Sequence, residues 1–590
     1  MSAKRTTITR RKFLQYSAAA CAATYLGWRQ VDANAVETAD RVLRNGKIIT
    51  VDAADSIAQA VAIQGDKIMA VGTNAAINAL IGPSTEVIDL AGKAVTPGIV
   101  DSHLHTLYYG RQFWDGFLNV RYPTVKSLSE LLAAIQARAQ TTPAGHWISA
   151  NQGFYLSQGP TEFDKTQLDA VAPNHPVYLR HGSGQYSVVN SRALTEAGID
   201  VGGTTPNPFG GVIVRDPITH EATGVLLHYP AENLVMLHAD GYSDLSEEAL
   251  ENDIKRAQDM LLATGITSAQ DVIIGEPAHM AIYRNLALRH ELKVRTYMLL
   301  YINTEAQAEQ YVAQLTGSKS DFLTFGGWKL AIDGGVAAGT ALMYNSSLPA
   351  ASRSYYYFQP AVLNRIVRLL HETGLQISFH IIGDKGIDQA LDALEAAMGS
   401  SGGSASRHRI EHAMFMQPSS LQRIKDLGVV ISTQPQMISW FGDGYRDYTD
   451  EATMASFLPL KTMLDQGIPL AFGCDVPASP LHDPKWGLVG ATQRRTGTGY
   501  VPNPEQRLDI HQALRVHTMG SAYAAFEEDR KGSIEVGKLA DLVVWNDDMY
   551  SLETPSQVTE LRALMTFVGG KQVAPMAPNI YLPSLRRKHP

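Results

Sequence analysis

The stretch of sequence that decides the fold is VTPGIVDSHLH, residues 95–105. A turn-forming Pro-Gly pair precedes a short apolar run, which predicts the start of a buried strand. His103 and His105 close the stretch two residues apart, so both imidazoles face the same side of an extended strand. A lone His-x-His pair is a weak sign of a metal site, and its weight depends on further ligands elsewhere in the chain.

Eight short apolar runs alternate with helical stretches, which is typical of a parallel α/β sheet or barrel. The runs are residues 99–103, 266–270, 293–297, 328–333, 376–380, 409–412, 429–433 and 470–475. His380, His412 and Asp475 each end one of these runs, where side chains line the mouth of a barrel. The first two runs lie so far apart that an insertion of roughly 120 residues is expected between them, since a βα unit takes about 30.

The insertion, expected at about residues 110–250, has secondary-structure patterns of its own. Ser127-Leu128-Ser129-Glu130 is a capping box that leads a helix with one apolar stripe. The run 177–180 predicts a strand in the same segment. A loop of this length at the catalytic end of a barrel usually has its own structure and helps to form the binding site.

Strand-like patterns also occupy both ends of the chain. Two runs at 60–63 and 67–71 flank Gln64-Gly65-Asp66 and predict a hairpin. Further runs lie at 540–545 and 566–568. We therefore expect residues 40–97 and 526–575 to form one β-sandwich built from both termini, with the barrel at 98–525.

Composition excludes several classes of protein. Of the 590 residues 45% are hydrophobic and 18% are charged, which rules out a disordered or fibrous chain. The net charge of −8 shows no basic surplus for nucleic-acid binding. Cys21 and Cys474 are the only cysteines, too few for a disulfide framework or a Cys-rich zinc site. No stretch is long and apolar enough to predict a stable membrane span.

Residues 1–35 resemble a secretory signal. A basic start with paired arginines at TRRKFL, residues 9–14, precedes a weakly apolar run at 16–27 and the small-x-small triplet ANA at 33–35. This order predicts recognition by the twin-arginine export machinery and a soluble mature protein that is periplasmic or secreted. The alternative is a basic tail that precedes a buried helix.

The dispersed histidines and acid form one candidate metal site. Four imidazoles and a carboxylate suit zinc or a similar divalent ion, and the expected set is His103, His105, His380, His412 and Asp475. Lys329 lies on the predicted fourth strand, where its carbamate would give two oxygens able to bridge two metals. The alternative for Asp475 is an N-cap of the helix after the last strand.

Several motifs resemble the amidohydrolase superfamily, in its YtcJ-like or amidohydrolase-3 branch, which includes the N-substituted formamide deformylases. They are VTPGIVDSHLH at 95–105, LDAVAP at 168–173, KLAIDG at 329–334, HIIGD at 380–384, RIEH at 409–412 and GSIEVGKLADLVV at 532–544. The resemblance implies a distorted (β/α)8 TIM-like barrel with a composite β-sandwich. It also implies metal ligands at the five residues above, with Lys329 as a carbamylated bridge.

The sequence departs from the branch at three positions. Gln185 and Gln270 replace frequent histidines, and His228 stands where a glutamate is common. We expect these residues to belong to the substrate pocket rather than to the metal shell. Tyr155 and Tyr186 are further candidates for substrate contact, although core or loop packing is as good an explanation for each.

The expected function is metal-dependent hydrolysis of a C–N bond in a small amide-type molecule. Asp475 would take a proton from a metal-activated water and return it to the leaving amine. Two alternatives stay open: deamination or another non-peptide hydrolysis on the same barrel, and a binding or regulatory protein without turnover. One or two metal ions and a homodimer are both compatible with the sequence.

Overall fold

The computed structural model describes residues 37–121, 124–154, 163–208, 210–242, 246–314, 319–336, 338–345, 357–399, 404–552 and 554–575. Short strands and helices alternate through the chain. The strands are β1 (Arg41–Arg44), β2 (Lys47–Ile49), β3 (Ile57–Ala58), β4 (Ala60–Gln64), β5 (Lys67–Gly72), β6 (Glu86–Asp89), β7 (Ala94–Pro97), β8 (Ile99–Leu104), β9 (Ile148–Ser149), β10 (Val177–Arg180), β11 (Tyr186–Val189), β12 (Val212–Arg215), β13 (Ala222–Leu227), β14 (Ile266–Ile274), β15 (Arg295–Ile302), β16 (Leu323–Ala331), β17 (Gln376–Ile381), β18 (Arg409–His412), β19 (Val430–Thr433), β20 (Leu470–Phe472), β21 (Leu542–Trp545), β22 (Ala563–Val568) and β23 (Lys571–Pro575).

The α-helices mostly follow the strands of the parallel sheet and cover its outer face. They span Asn74–Asn78, Thr106–Arg111, Leu128–Thr141, Lys165–Val171, Ser191–Glu196, His228–Met236, Glu247–Ala263, Pro277–Leu288, Glu305–Ala313, Pro360–His371, Asp384–Met398, Pro418–Asp426, Met437–Tyr448, Glu451–Met454, Leu460–Asp465, Lys485–Gln493, Ile510–Arg515 and Ser521–Ala524. A π-helix covers Val516–Gly520. In Pro360–His371, Leu363, Ile366, Val367 and Leu370 are buried, which is the i, i+3, i+4, i+7 stripe of a helix that packs on a sheet.

Eight parallel strands form the central sheet in the order β20-β19-β18-β17-β16-β15-β14-β8. Two backbone hydrogen bonds bring its ends together: Asp475 N donates to His103 O at 2.7 Å and His105 N donates to Val476 O at 3.0 Å. The sheet is therefore a nearly closed TIM-like barrel, and all eight predicted strands are confirmed. Their carboxyl ends meet at one mouth, so residues far apart in sequence converge there.

Strands from both chain ends build two further sheets. One has the order β5-β4-β1-β6, and the other, β23-β22-β21-β7-β2-β3, mixes strands from the first and last parts of the chain. The predicted hairpin is the antiparallel pair β4–β5. Leu43, Ile48, Val544 and Phe567 share one buried cluster, which explains why neither end can bury its apolar face without the other. The composite sandwich is thus confirmed as part of the fold.

The segment between β8 and β14 has a five-stranded sheet of its own, in the order β12-β13-β11-β10-β9. The predicted strand at 177–180 is β10. The helix Leu128–Thr141 begins at Ser127, whose side chain accepts a hydrogen bond from Glu130 N at 3.2 Å. Its Leu131 and Ile135 are buried in a cluster that also contains residues of the small sheet. The residue boundaries assigned to the three parts remain predictions.

The predicted signal, residues 1–35, lies outside the described residues. Within the part of the chain that the structure describes, every helix falls short of the length and apolar character needed to cross a bilayer.

Candidate metal centre

His103 and His105 lie at the carboxyl end of β8, and a buried carboxylate holds this end in place. Asp101 accepts hydrogen bonds from His103 N at 3.0 Å and from Cys474 N at 3.0 Å, so it ties β8 to the segment after β20. Burial raises the pKa of Asp101 to about 6. These two hydrogen bonds fix the backbone on both sides of the site. Asp101 can accept them because it lies two residues before His103, on the same face of the strand.

Asp475 is the point at which the two histidines meet. Its Oδ1 lies 3.1 Å from His105 Nε2 and 3.3 Å from His103 Nε2. Burial opposes ionisation of Asp475, but the two imidazoles hold the pKa of its carboxyl well below the ordinary value. Its φ of 53° places a non-glycine residue in the left-handed region, a strained conformation that clusters at functional sites.

The rings of His412 and His380 continue the site along the barrel mouth. The ring centroid of His412 is 4.6 Å from that of His103 and 4.5 Å from that of His380. His412 Nδ1 lies 2.7 Å from Gln434 Oε1, and His380 Nε2 lies 3.3 Å from Gly334 O. Burial lowers the pKa of His380 to about 3, so this imidazole is neutral and able to act as a ligand.

Lys329 is buried on β16, between the strands of Tyr301 and His380. Its Nζ has no hydrogen-bond partner among the described residues. Burial lowers the pKa of its ammonium to about 8, although the nearby carboxylate of Glu411 opposes the shift. A buried amine without a partner is costly, which indicates that this position is built to hold a further group.

Sequence reasoning missed the role of Glu411, although the residue stands in the quoted motif at 409–412. Its Oε2 lies 2.7 Å from His103 Nδ1, and its Oε1 accepts from Ser378 Oγ at 2.6 Å and pairs with Arg409 at 2.8 Å. The contact commits Nδ1 of His103 to Glu411 and leaves Nε2 to face Asp475. The sequence signal that could have revealed this role was an acid on a strand predicted to be buried. A buried acid rarely lacks a partner.

Asp333 is a second missed residue, and it supports the loop beside His380. Its carboxylate accepts from the backbone N–H groups of Leu342, Ile382 and Gly383 at 2.9, 2.9 and 2.8 Å. Asp384, the first residue of the next helix, accepts from Tyr344 N at 3.0 Å, from Lys385 N at 2.8 Å and from the side-chain amide of Gln417.

The inserted segment brings two of the predicted substrate residues towards this loop. His228 N donates to Gln185 O at 2.8 Å, and His228 Nδ1 lies 2.9 Å from the hydroxyl of Tyr357. A Cβ on Gly334 would lie only 2.6 Å from His228 Cε1, so His228 packs directly against the loop that contacts His380. His228 is also strained, with a φ of 65°, and burial lowers its pKa to about 3.

The remaining predicted pocket residues lie elsewhere. Tyr186 is buried in the inserted segment with its ring stacked on His181, at a centroid distance of 4.4 Å. Gln270 lies inside the barrel, where it donates to Ser521 O at 2.6 Å and accepts from Arg409. Tyr155 lies outside the described residues.

The donor atoms of this site fit a divalent metal. One ligand atom each from His103, His105 and Asp475 lies within 4.8 Å of the others, the only such group of three among the described residues. Ligands at about 2.0–2.2 Å from a tetrahedral ion are about 3.4 Å apart, close to the separations of 3.1 and 3.3 Å seen here. The rings of His412 and His380 adjoin that of His103, so the five predicted histidine and aspartate ligands share one end of the barrel.

Comparisons with known proteins agree with this geometry. The sequence matches the amidohydrolase family over residues 86–574. It is 28% identical to an N-substituted formamide deformylase of Arthrobacter pascens, over 90% of this chain and 97% of that protein. It is also 28% identical to the Protein LONG AFTER FAR-RED 3 of Arabidopsis thaliana, over 91% of this chain and 92% of the other.

A solved structure has a similar fold over most of this chain. It is an uncharacterized metal-dependent hydrolase from Pyrococcus furiosus, with a TM-score of 0.65 and 25% identity, covering 86% of this chain and 99% of that one. The region that matches the family contains every predicted ligand, the barrel and the C-terminal strands of the composite sandwich, and it leaves out β1–β5. The chain belongs to the amidohydrolase family and is a metal-dependent hydrolase of carbon–nitrogen bonds other than peptide bonds.

Proposed function

We propose that the protein cleaves the C–N bond of a small non-peptide amide at a zinc centre of one or two ions. His103, His105, His380, His412 and Asp475 would hold the metal. The observation that carries the proposal is the convergence of His103 Nε2, His105 Nε2 and one carboxylate of Asp475 at 3.1–3.3 Å. The similarity to an N-substituted formamide deformylase supports an amide as the substrate class.

A bound divalent ion would lower the pKa of a water ligand from near 16 towards about 7 and polarise the amide carbonyl. Asp475 would accept the proton that the attacking water loses and deliver it to the leaving nitrogen. Its carboxylate suits this role because interactions with His103 and His105 keep it ionised despite burial.

Lys329 is the proposed bridge between two ions. A carbamate forms from an uncharged amine and carbon dioxide, and the lowered pKa of about 8 gives Lys329 a much larger uncharged fraction near neutral pH than an exposed lysine has. Its buried Nζ has no competing partner among the described residues. A carbamylated Lys329 would supply two oxygens to the metal centre.

His228 and Gln185 are the proposed substrate contacts from the inserted segment. They are joined by the hydrogen bond from His228 N to Gln185 O, and His228 lies against Gly334 beside His380. Tyr155 and Tyr186 stay candidates from the sequence. Export by the twin-arginine machinery to the periplasm or exterior is proposed from residues 1–35, with a homodimer as the assembly to test by ultracentrifugation.

The test is product analysis with the zinc-loaded protein. A panel of N-substituted formamides and acetamides is incubated with enzyme that has been stripped of metal, and with the same enzyme reloaded with zinc. We expect an amine and a carboxylic acid in equal amounts, formed only after reloading. Ammonia as the sole nitrogen product would assign a deaminase instead, and no product from any amide would refute the proposal.

A further inference from the structure

Three strands of the barrel, β14, β15 and β19, carry no proposed metal ligand, and the first two are neighbours whose carboxyl ends adjoin the metal centre. In the sheet order, β14 and β15 lie between β8, with His103, and β16, with Lys329. Tyr301 on β15 pairs in register with Lys329, and Gly275 follows directly after β14. Because substrates of barrel enzymes bind at this face, the sector above β14 and β15 is a candidate place for the part of the substrate that does not react.

Four side chains border this sector. Tyr108 comes one turn after His105, and its hydroxyl would lie only 2.8 Å from a Cβ placed on Gly275. His279 Nδ1 would lie 3.6 Å from the same position. Tyr229, next to His228, is 38% exposed and lies within electrostatic range of both Tyr108 and Tyr301. We call Tyr108, Tyr229, Tyr301 and His279 the phenol subsite.

The polar atoms of the phenol subsite are available to a ligand. The hydroxyls of Tyr108, Tyr229 and Tyr301 make no hydrogen bond within the described residues. The Nδ1 of His279 is buried and likewise has no partner there. A buried polar atom is almost always satisfied in a folded protein, so the unpartnered Nδ1 of His279 beside the reaction centre indicates a ligand or ordered water.

The subsite offers hydrogen-bond donors, and the exposed carboxylate of Glu276 lies 3.5 Å from His279 Nε2 at its border. Burial raises the pKa of Tyr108 and of Tyr301 above the ordinary phenol value and lowers that of His279. Arg180 is within electrostatic range of Tyr108 and Tyr229, but its Nη2 pairs with Glu232 at 3.2 Å. Aromatic faces with a few fixed donors are typical of sites for uncharged, planar groups.

We infer that the phenol subsite binds the nitrogen substituent of the substrate, as an uncharged planar group that carries a hydrogen-bond acceptor. This inference depends on the proposed function in one respect: amide hydrolysis defines which end of the substrate reacts at the metal. The hydroxyls of Tyr108 and Tyr301 donate to the acceptor, and the rings pack against the plane. Tyr229 closes the outer side.

The test measures binding without turnover. Zinc-loaded protein is titrated by calorimetry with two sulfonamides that cannot be hydrolysed as amides, N-(4-methoxyphenyl)methanesulfonamide and N-methylmethanesulfonamide. We expect Tyr108→Phe and Tyr301→Phe each to weaken binding of the methoxyphenyl probe by about threefold to tenfold, the worth of one hydrogen bond, and to leave the N-methyl probe unchanged. Tyr500→Phe, an exposed tyrosine elsewhere, is the matched control and should bind both probes as the wild type does.

Equal affinity of the wild type for the two probes, or wild-type affinity in both subsite variants, would overturn the assignment. A second variant, Gly275→Ala, keeps every phenol and displaces the Tyr108 hydroxyl with the new Cβ. It should also weaken the methoxyphenyl probe selectively, and an unchanged ratio of affinities counts against the subsite. Discrimination between the probes in a protein that hydrolyses no amide would refute the proposed function and support the subsite.

Discussion

Replacement of Glu411 by glutamine should weaken metal binding while the barrel stays folded. The carboxylate is fully buried and lies 2.7 Å from His103 Nδ1. A carboxylate on the far nitrogen fixes the tautomer of a ligating histidine and raises the basicity of its other nitrogen. Glutamine has the same shape, but it carries no charge and can accept through one atom only.

The size of the effect follows from what the carboxylate contacts. Loss of a partner of this type typically costs 10- to 100-fold in metal affinity, about 1.4–2.7 kcal/mol. A second cost falls on stability, because Arg409 is fully buried and pairs with Glu411 at 2.8 Å. Breaking a buried pair on one side costs about 3–5 kcal/mol, although Arg409 keeps its bond to Ser102 O at 2.6 Å.

Zinc affinity is measured by competition with a chelator of known affinity, with zinc counted by mass spectrometry and folding checked by circular dichroism. The matched control is Glu305→Gln, which removes the partner of Arg365 at an exposed ion pair and should leave zinc affinity unchanged. A folded Glu411→Gln protein with wild-type zinc affinity would refute the positioning of His103 by Glu411.

Three further predictions concern stability and turnover. Burial raises the pKa of Asp333 to about 7 from 3.8, so the folded state favours its protonated form. Stability relative to Asp333→Asn should therefore fall as the pH rises from about 4 towards 7, although three backbone N–H donors favour the carboxylate and oppose the shift; parallel denaturation profiles would contradict this sign. Leu131→Ala should destabilise the inserted segment by about 2–5 kcal/mol, whereas the exposed Leu237→Ala should change the denaturation midpoint little. His103→Ala should abolish amide turnover with a native circular dichroism spectrum, and retained activity would remove the metal mechanism.

The barrel was predictable because its signals are local and repeated. Each barrel strand is a short apolar run in the sequence. Four of these runs end in His103, His380, His412 or Asp475, at the barrel mouth where a metal site needs its ligands. The helix N-cap at Ser127 and the hairpin around Gly65 rest on hydrogen bonds between near neighbours, although the side chain of Glu130 accepts from Lys126 N rather than closing the predicted capping box. Such features follow from composition and spacing without knowledge of the tertiary fold.

The support for the site was less predictable because it depends on contacts across the barrel. Glu411 reaches His103 across 308 positions of sequence. Asp101 reaches the N–H of Cys474 across 373 positions. The resemblance to the family predicted Gln270 as a pocket residue, yet its side chain donates a hydrogen bond inside the barrel to Ser521 O. Strand patterns show which face a side chain takes but not which distant partner meets it.

The most direct test of the account is anomalous X-ray scattering at the zinc edge from crystals of the zinc-loaded protein. We predict a zinc peak at about 2.0–2.2 Å from His103 Nε2, from His105 Nε2 and from a carboxylate oxygen of Asp475. A zinc-loaded crystal with its peak elsewhere, or with none at the barrel mouth, would contradict it.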